Sequence, residues 1–412
     1  MRQYPKVLLF GHSFNNTTGM GITLTNLFAE WPSDSIAIYA NNIDKELCES
    51  IRPCSMYIGK ICTSRHGTSL NKKASITFKD KVIARLRKLY YKTGLQELSS
   101  STQLPPSDIS RVKEFAPDIV FCALGNSLSM QRCEKLMDSL PKAKLVLYIV
   151  DDWVNTVANT RFFSFLWRRR YNREFQHIIE RASCLLSICQ YMSDEYLKKY
   201  NKVFHPFHNP VDLSIWNGLT VPNKYNKDIL SILYVGKIND DTTPCLLDMC
   251  EVVNTLTKKG YKIKFDIYSP DFEKKFFLFK NKINVSVYPA VPHHDIPLLM
   301  KSYTSLFLPL GFSRQSRLYV RLSMPTKLTE YLASGRPMIL YCPEEIALAK
   351  YLEDKDCAIM CTINDVGCLG KSVSKLQDKS TYEYLMQNAL QLASLHDIKL
   401  VRERFFETLA NV

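Results

Sequence analysis

Two charged side chains three residues apart, Lys327 and Glu330, are the first candidates for chemistry in this sequence. The segment around them predicts a short helix, because Pro325 suits a first helical turn and Gly335 suits the position just past the last turn. Residues three apart lie side by side on one helical face. A cation and a carboxylate near a helix N-terminus suit a ligand that carries both phosphates and hydroxyls. An ordinary surface salt bridge is the alternative.

Adjacent carboxylates form a second candidate, since Asp151 and Asp152 directly follow a strand predicted over 144–150. Proteins with parallel sheets place ligands at the carboxyl ends of their strands. One of the two aspartates could therefore act as a base towards an acceptor hydroxyl. The alternative is an aspartate that caps the next helix, and the sequence does not choose between the two residues.

A glycine-containing loop, residues 15–21, follows the first predicted strand and opens a helix. Gly19 and Gly21 would let the backbone approach a ligand closely, and a helix N-terminus attracts anions. No third glycine completes the dinucleotide-binding fingerprint. An ordinary strand-to-helix turn is therefore the alternative.

The elements that must position these groups alternate between strands and helices, which is typical of an α/β protein with mostly parallel sheets. Helices are predicted over 22–30, 168–181 and 246–259. Strands are predicted over 6–10, 35–39, 118–123, 144–150 and 184–189, and then over 229–235, 262–268, 285–288, 305–308 and 338–341.

A polar, turn-rich segment separates the two series of elements and predicts a domain boundary. It contains His208-Asn209-Pro210-Val211-Asp212, Asn217-Gly218 and Val221-Pro222-Asn223. We therefore expect a doubly wound N-terminal domain over 1–210, a second over 211–380, and a helical tail over 381–412. A ligand shared by both domains would lie in a cleft between them.

The pattern Pro-x-Lys-x-x-Glu-Tyr-x-Ala-x-Gly-x-Pro at 325–337 resembles the donor site of family 4 glycosyltransferases, which have the GT-B fold. The resemblance implies two Rossmann-like domains that face a central cleft. It also implies that Glu330 binds the ribose of a nucleotide sugar and Lys327 its diphosphate, with Thr326 as a further donor contact. Many members have another Glu eight positions before this one, where this chain has Leu322. Members with the Pro-x-Lys form commonly lack that earlier Glu.

Two further segments are similar to the same family. Residues 209–212, Asn-Pro-Val-Asp, resemble its segment at the domain junction, and residues 233–237 resemble the first strand of its donor domain. The resemblance implies that Gly236 contacts the donor and that Lys237 meets the diphosphate. Some members have a second basic residue six positions later, where this chain has Thr243, so Lys327 would have to replace it.

The resemblance implies the activity of a retaining glycosyltransferase of the hexosyltransferase type. In this family a glycine-rich loop like that of Gly19 and Gly21 lies against donor phosphate and acceptor, and the position of Asp151 and Asp152 faces the cleft. Family members generally need no metal, so we expect a nucleotide-sugar substrate and no cofactor. The implied acceptor is lipid-linked or a saccharide, in bacterial surface polysaccharide or glycolipid assembly. A nucleotide-sugar epimerase of the same fold and a non-catalytic binding subunit are the alternatives.

The charge of the chain is uneven, because residues 1–210 carry +11 of the net +14. Two basic stretches with interleaved aromatic residues, 79–92 and 161–171, lie in that half. Basic helices with exposed aromatic side chains suit an anionic membrane surface. Solvated helices whose aromatic faces enter the core are the alternative. No nucleic-acid-binding motif accompanies the charge, so we expect no nucleic acid partner.

The thirteen cysteines lack zinc-site spacing, and buried thiols in a reducing cytoplasm explain them best. No apolar run reaches the roughly 20 residues that span a bilayer, and the apolar piece at 7–10 is too short for a signal peptide. We therefore expect a cytoplasmic protein that is peripheral at the inner face of the membrane. Histidines such as His293 have no acidic partner at metal-ligand spacing and are interpreted as structural. Arg314, Arg317 and Arg321 could grip phosphates or form a solvated basic face.

Overall fold

A computed structural model describes residues 3–62, 78–219 and 229–412, which form two compact units. The first unit comprises residues 1–207 and 402–412, and the second comprises residues 208–401. The chain thus divides between Phe207 and His208 rather than after Pro210. The turn-rich residues Val221-Pro222-Asn223 lie outside the described residues.

The first unit contains a sheet of seven parallel strands in the order β3-β2-β1-β4-β5-β6-β7. Every residue of β1 and β4 is buried, as expected for central strands that are covered on both faces. The strands are β1 Val7–Phe10, β2 Ile36–Asp44, β3 Met56–Cys62, β4 Ile119–Ala123, β5 Lys144–Ile149, β6 Cys184–Ser187 and β7 His205–Pro206.

Nine helices connect these strands within the described part of the first unit. They are α1 Gly19–Leu27, α2 Lys45–Ile51, α3 Phe78–Thr93, α4 Leu95–Ser99, α5 Pro106–Phe115, α6 Ser127–Asp138, α7 Trp153–Asn159, α8 Ser164–Arg181 and α9 Gln190–Tyr200. The parallel strands and their helical crossovers confirm the doubly wound α/β architecture.

The second unit contains a sheet of six parallel strands in the order β10-β9-β8-β11-β12-β13. Its strands are β8 Ile229–Val235, β9 Lys262–Ser269, β10 Val285–Pro289, β11 Ser305–Pro309, β12 Met338–Tyr341 and β13 Ala358–Cys361. Its helices are α10 Leu213–Asn217, α11 Thr242–Lys258, α12 Phe272–Lys275, α13 Ile296–Lys301, α14 Arg314–Val320, α15 Leu328–Ala333, α16 Ala347–Leu352, α17 Val366–Ser374 and α18 Lys379–Ser394.

The segment over 381–412, predicted as a helical tail, contains most of one helix and the whole of the next, and these two helices pack in different places. Helix α18 lies in the second unit, where Leu390 contacts Gly335 at the end of α15. The next helix, α19 Ile398–Ala410, carries the chain back into the first unit. There the ring centroid of Phe405 lies 5.0 Å from that of Phe28 and 6.0 Å from that of Phe121. This aromatic packing explains why residues 402–412 belong to the first unit.

Each sheet has one point where the chain reverses the direction in which it adds strands. In the first sheet this switch point lies between β1 and β4, and in the second it lies between β8 and β11. Loops leave the sheet in opposite directions there, so a crevice opens beyond the carboxyl ends of the two strands. These two places therefore position the ligand-binding groups of each unit.

Candidate functional site

Strands β8 and β11 separate at the switch point of the second sheet, and Tyr331 lies where they part. The two strands pair only at Ile232 with Ser305 and at Leu233 with Leu306. Beyond that pairing, the buried hydroxyl of Tyr331 donates to the Phe307 carbonyl at 3.3 Å, and it lies 3.5 Å from the Val235 nitrogen. Helix α15 is thus fixed against the crevice by its own side chain.

Lys327 precedes Tyr331 by one helical turn and also points at the end of β8. Its Nζ donates to the Val235 carbonyl at 3.3 Å and lies 4.5 Å from the centroid of the Tyr234 ring. Burial lowers the pKa of this ammonium to about 8, and the charge of Glu330 opposes the shift only in part. Among the described residues, no carboxylate contacts this half-buried ammonium, so an anionic ligand would gain a poorly solvated cation.

Gly236 ends β8 in a conformation that favours glycine, with φ +154°. A Cβ added there would lie 2.9 Å from the Tyr234 hydroxyl and 3.1 Å from the Lys327 Nζ. The backbone at Gly236 therefore lies directly against the lysine. The next residue, Lys237, is exposed, and its carbonyl accepts from the Tyr234 hydroxyl at 2.7 Å. The structure thus brings Gly236, Lys237 and Lys327 together at one strand end.

The backbone that leads into α15 is held by the residues that begin the second unit. His208 Nε2 donates to the Pro325 carbonyl at 3.2 Å, and the Asn209 side chain donates to the Thr326 carbonyl at 3.2 Å. Both side chains are buried, and burial lowers the pKa of His208 to about 3, which keeps the imidazole neutral. These bonds explain why α15 begins at Leu328 rather than at the predicted first turn of Pro325.

Glu330 does not pair with Lys327 within the described part of the chain. Its Oε1 instead lies 3.0 Å from Nε2 of His293, in the loop that follows β10. The Glu330 side chain is 21% exposed, so the carboxylate remains open to a ligand. The hydrogen bond to Glu330 raises the pKa of His293. The sequence had led us to interpret His293 as structural, and it did not predict this pairing, because Glu330 lies 37 positions away and shares no motif with it.

The positions at which the chain departs from the family pattern have structural roles. Leu322 is 1% exposed, so it is a core residue. The Thr243 hydroxyl donates to the Asn239 carbonyl at 2.6 Å, at the start of α11.

The arginine cluster predicted before the donor segment is partly bonded within the protein. Arg317 donates to the Phe312 carbonyl at 2.9 Å and to Glu345 at 3.0 Å. An open depression of about 440 Å³ lies beside Arg317, and it is also lined by Phe312, Arg314, Arg321 and Glu345.

The aspartate pair at the end of β5 divides into one enclosed and one half-buried residue. Asp152 is 2% exposed, and its carboxylate accepts from the Asn155 amide at 2.8 and 2.9 Å and from the Tyr196 hydroxyl at 3.2 Å. Its side chain does not cap α7 by a hydrogen bond. Asp151 is half-buried. Asp151 is therefore the more accessible of the two carboxylates.

The loop before α1 uses its own side chains to satisfy its backbone. The Asn15 side chain accepts from the nitrogens of Thr17 and Thr18 at 3.1 and 2.9 Å, and the Thr18 hydroxyl accepts from Gly21 at 3.1 Å. A Cβ at Gly21 would overlap the Asn15 amide, so the packing of the loop itself explains why this residue is glycine. Gly19 begins the helix. These bonds favour the ordinary strand-to-helix turn over an anion site formed by the same N–H groups.

A second histidine missed by sequence reasoning lies at the switch point of the first sheet. His12 follows β1, and its Nε2 donates to the Ala123 carbonyl at the end of β4, at 3.1 Å. Burial lowers the pKa of His12. Because the carbonyl only accepts, Nε2 carries the proton, and Nδ1 presents a lone pair. The sequence signal for His12 was its place after the first strand.

The basic stretches of the first unit expose their apolar side chains. In α3, the described residues Ile83, Leu86 and Tyr91 are 46%, 60% and 55% exposed. At the start of α8, Phe163 and Phe165 are 72% and 67% exposed. Side chains at 79–82, 84 and 88 lie outside the described residues.

The two stretches meet in the structure. The Phe162 nitrogen donates to the Lys92 carbonyl at 2.7 Å, the Lys92 ammonium lies 5.8 Å from the Phe162 ring centroid, and Arg161 pairs with Glu97. We call α3 and the start of α8, residues 161–170, the basic–apolar surface. Farther along α8, Tyr171 and Phe175 enter the core. The aromatic residues of α8 are thus exposed at its start and buried farther along the helix.

The described residues offer neither a metal-binding cluster nor a bilayer-spanning helix. No group of three or more His, Cys, Asp or Glu side chains is placed to hold a metal ion. All thirteen cysteines are free thiols, and most are buried. Within the described ranges, no helix has the length and apolar character that crossing a bilayer requires.

Two Rossmann-like units in one chain define the GT-B class of fold, as predicted. Alr3699/HepE of Anabaena, solved with UDP and glucose, is similar at a TM-score of 0.66 and 11% identity, over 99% of this chain and 100% of that chain. TarM of S. aureus is similar at 0.64 and 10%, over 98% of each chain. A glycosyltransferase of Rickettsia africae gives 0.63 and 11%, over 99% and 100%. No protein-family model and no curated protein matches the sequence.

Proposed function

We propose that the protein is a glycosyltransferase that moves a sugar from a nucleotide sugar to an acceptor hydroxyl, with retention of configuration. The observation that carries the proposal is the enclosed ammonium of Lys327 against Gly236, at the switch point of the second sheet. That is where doubly wound sheets bind nucleotides. The similar structures include Alr3699/HepE with UDP-glucose, which supports a nucleotide sugar as donor.

The donor contacts follow from this placement. Lys327 and Lys237 would bind the diphosphate, and the backbone at Gly236 would let it approach closely. Glu330 lies on the same helix three residues after Lys327, so its carboxylate would accept from the ribose hydroxyls. Thr326 precedes the lysine, and its carbonyl is already bonded to Asn209. Its hydroxyl is therefore the part proposed to touch the donor. The bonded N–H groups near Gly19 and Gly21 make that loop a weaker donor contact.

The chemistry we propose is mainly electrostatic. Charge builds on the diphosphate as it leaves the sugar, and fixed cations stabilise that charge more than they stabilise the bound donor. Lys327 suits this role because its ammonium is already desolvated and need not reorganise. Glu330 would position the donor by holding the ribose. The scheme needs no covalent nucleophile and no metal, and Asp151 would accept the proton of the acceptor hydroxyl.

We further propose that the basic–apolar surface binds anionic lipid, with the acceptor lipid-linked or a saccharide in surface polysaccharide or glycolipid assembly. Exposed side chains such as Phe163 and Phe165 would enter the headgroup region, while Arg168 and Arg169, which are also exposed, would meet the phosphates. Charge complementarity selects this occupant, because exposed apolar and exposed basic side chains lie close together in the sequence over 161–170. The protein would then work at the inner face of the membrane.

The test of the activity is transfer from a panel of nucleotide sugars to added acceptors. We expect transfer by the wild-type protein and a loss of about 100-fold or more in the Lys327→Ala and Glu330→Ala variants, with circular dichroism unchanged. The matched control is Lys379→Ala with Glu383→Ala, an exposed Lys–Glu pair on α18 of the same unit. Epimerised donor without transfer would favour the epimerase. Absence of any nucleotide-sugar binding would favour the non-catalytic subunit.

The test of the membrane surface is co-sedimentation with vesicles of phosphatidylglycerol and phosphatidylcholine. Binding should weaken with salt, and it should fall when Arg168 and Arg169 become Gln or when Phe163 and Phe165 become Ser. Val203→Ser is the matched control, because Val203 is equally exposed on the same unit but lies outside the surface. Binding that ignores salt and all of these substitutions would contradict the proposal.

A further inference from the structure

The loop after β10 brings a histidine to the carboxylate that we assign to the donor ribose. Residues 293–295 form a short 3-10 turn beyond the carboxyl end of β10, and the first of them is His293. Its Nε2 lies 3.0 Å from Glu330 Oε1, although the two residues belong to different elements. The His293 side chain is 62% exposed. Packing therefore does not press His293 against Glu330, and the hydrogen bond is what holds the two side chains together.

The donor and acceptor roles in this contact are fixed by chemistry. A carboxylate only accepts, so Nε2 of His293 carries the proton and donates. This bond occupies one lone pair of Oε1 and restrains the Glu330 side chain. The remaining lone pairs, including those of Oε2, stay available to two neighbouring hydroxyl groups. A ribose offers such a pair at its 2′ and 3′ positions.

We propose that His293 is a positioning residue that orients Glu330, so that the pair selects ribonucleotides over 2′-deoxyribonucleotides. This inference rests on the proposed function, because it needs a nucleotide at the crevice of the second sheet. A freely rotating carboxylate would bind either hydroxyl alone, whereas an oriented one binds both at once.

The chain supplies a matched control next to the proposed residue. His294 also pairs with a carboxylate, since its Nε2 lies 3.5 Å from Asp295 Oδ1. Its side chain is 81% exposed, and neither partner contacts Glu330 among the contacts of the described residues. His294→Ala should therefore remove a histidine from the same turn without changing nucleotide selection.

The experiment measures the affinity of the full chain for UDP, GDP and ADP and for their 2′-deoxy counterparts by calorimetry. We expect the wild-type protein to prefer the ribonucleotide about tenfold or more, as one charge-assisted hydrogen bond implies. His293→Ala should reduce that preference to about threefold or less, through weaker binding of the ribonucleotide alone. His293→Gln keeps a donor near the position of Nε2 and should restore most of the preference. His294→Ala should match the wild type.

Two results would overturn the inference, and they differ from each other. If UDP, GDP or ADP binds and Lys327→Ala abolishes binding, but His293→Ala keeps the full ribose preference, then His293 does not position Glu330 and the donor site stands. If none of the three nucleotides binds the wild-type protein, both the inference and the proposed donor site fail. If His293→Ala loses all binding and its circular dichroism changes, the variant has misfolded and His293→Gln decides the question. A positioning role predicts that His293→Gln binds the ribonucleotide with most of the wild-type preference.

Discussion

Replacing Lys327 by Met should make the ligand-free protein more stable and the nucleotide site weaker. The ammonium lies against Tyr234 and the Val235 carbonyl, and burial lowers its pKa from 10.5 to about 8. That shift corresponds to about 3 kcal/mol of unfolding free energy lost at pH 7. The cation–π contact with Tyr234 and the hydrogen bond to the Val235 carbonyl offset about 1–2 kcal/mol of that loss. Met fills a similar volume without a charge, so the variant should gain about 1–2 kcal/mol.

The pH dependence of this gain tests its cause. The folded protein holds a charged lysine below about pH 8, whereas the unfolded chain keeps it charged up to about 10.5. The cost of enclosing the charge is therefore complete below pH 8 and disappears as the pH rises towards 10.5. Between pH 7 and pH 9, the advantage of Lys327→Met over the wild type should shrink by about 1 kcal/mol.

Calorimetric unfolding and UDP titration of the same samples measure both effects. We expect the unfolding midpoint of Lys327→Met to rise by about 2–8 °C at pH 7, and its UDP affinity to fall by about 10- to 100-fold. Lys379→Met, on an exposed residue of the same unit, should change neither quantity. A lower midpoint, a difference that does not vary with pH, and unchanged UDP affinity would together refute the reasoning.

Four other substitutions, one of them a control, test the neighbouring assignments. Gly236→Ala should lower both stability, by about 1–3 kcal/mol, and UDP affinity, because its Cβ would crowd Lys327. Gly260→Ala, where φ is +88° and the space is open, should lower stability alone, and equal UDP loss in both variants would contradict this. Asp152→Asn should lower the unfolding midpoint, because the carboxylate binds buried partners, whereas Asp151→Asn should lower transfer at unchanged stability. The reverse pattern in the same two assays would exchange the roles of the aspartates.

Local signals in the sequence predicted the elements around the candidate site well. The glycine at the end of α15 is in the left-handed conformation that the pattern requires, with φ +61° at Gly335. The buried strands at the centre of each sheet were also predicted, because continuous apolar runs identify them. The edge strands β3, β7 and β13 were not predicted. In β3, exposed residues and Gly59 interrupt the apolar pattern.

Contacts between distant segments could not be predicted in the same way. The start of α15 depends on His208 and Asn209, which lie 117 positions before the carbonyls that they bind. The pairing of Glu330 with His293 likewise depends on how the loop after β10 folds. A pattern of neighbouring residues carries no information on such pairs, since tertiary packing decides them. Lys327 was predicted as a phosphate ligand from resemblance, but the burial that lowers its pKa comes from tertiary packing, which also places its ammonium against Tyr234 and Tyr331.

The return of α19 to the first unit has a consequence for the order of folding during synthesis. Phe405 packs with Phe28 and Phe121 in the core of the first unit, yet it is synthesised only after the whole of the second unit. Domains usually fold as units from the N-terminus as the chain emerges. Here the second unit, whose residues are all made before Arg402, can close its core first. The first unit must wait for residues 402–412, so a stop codon just after Val401 would damage the domain whose synthesis began first.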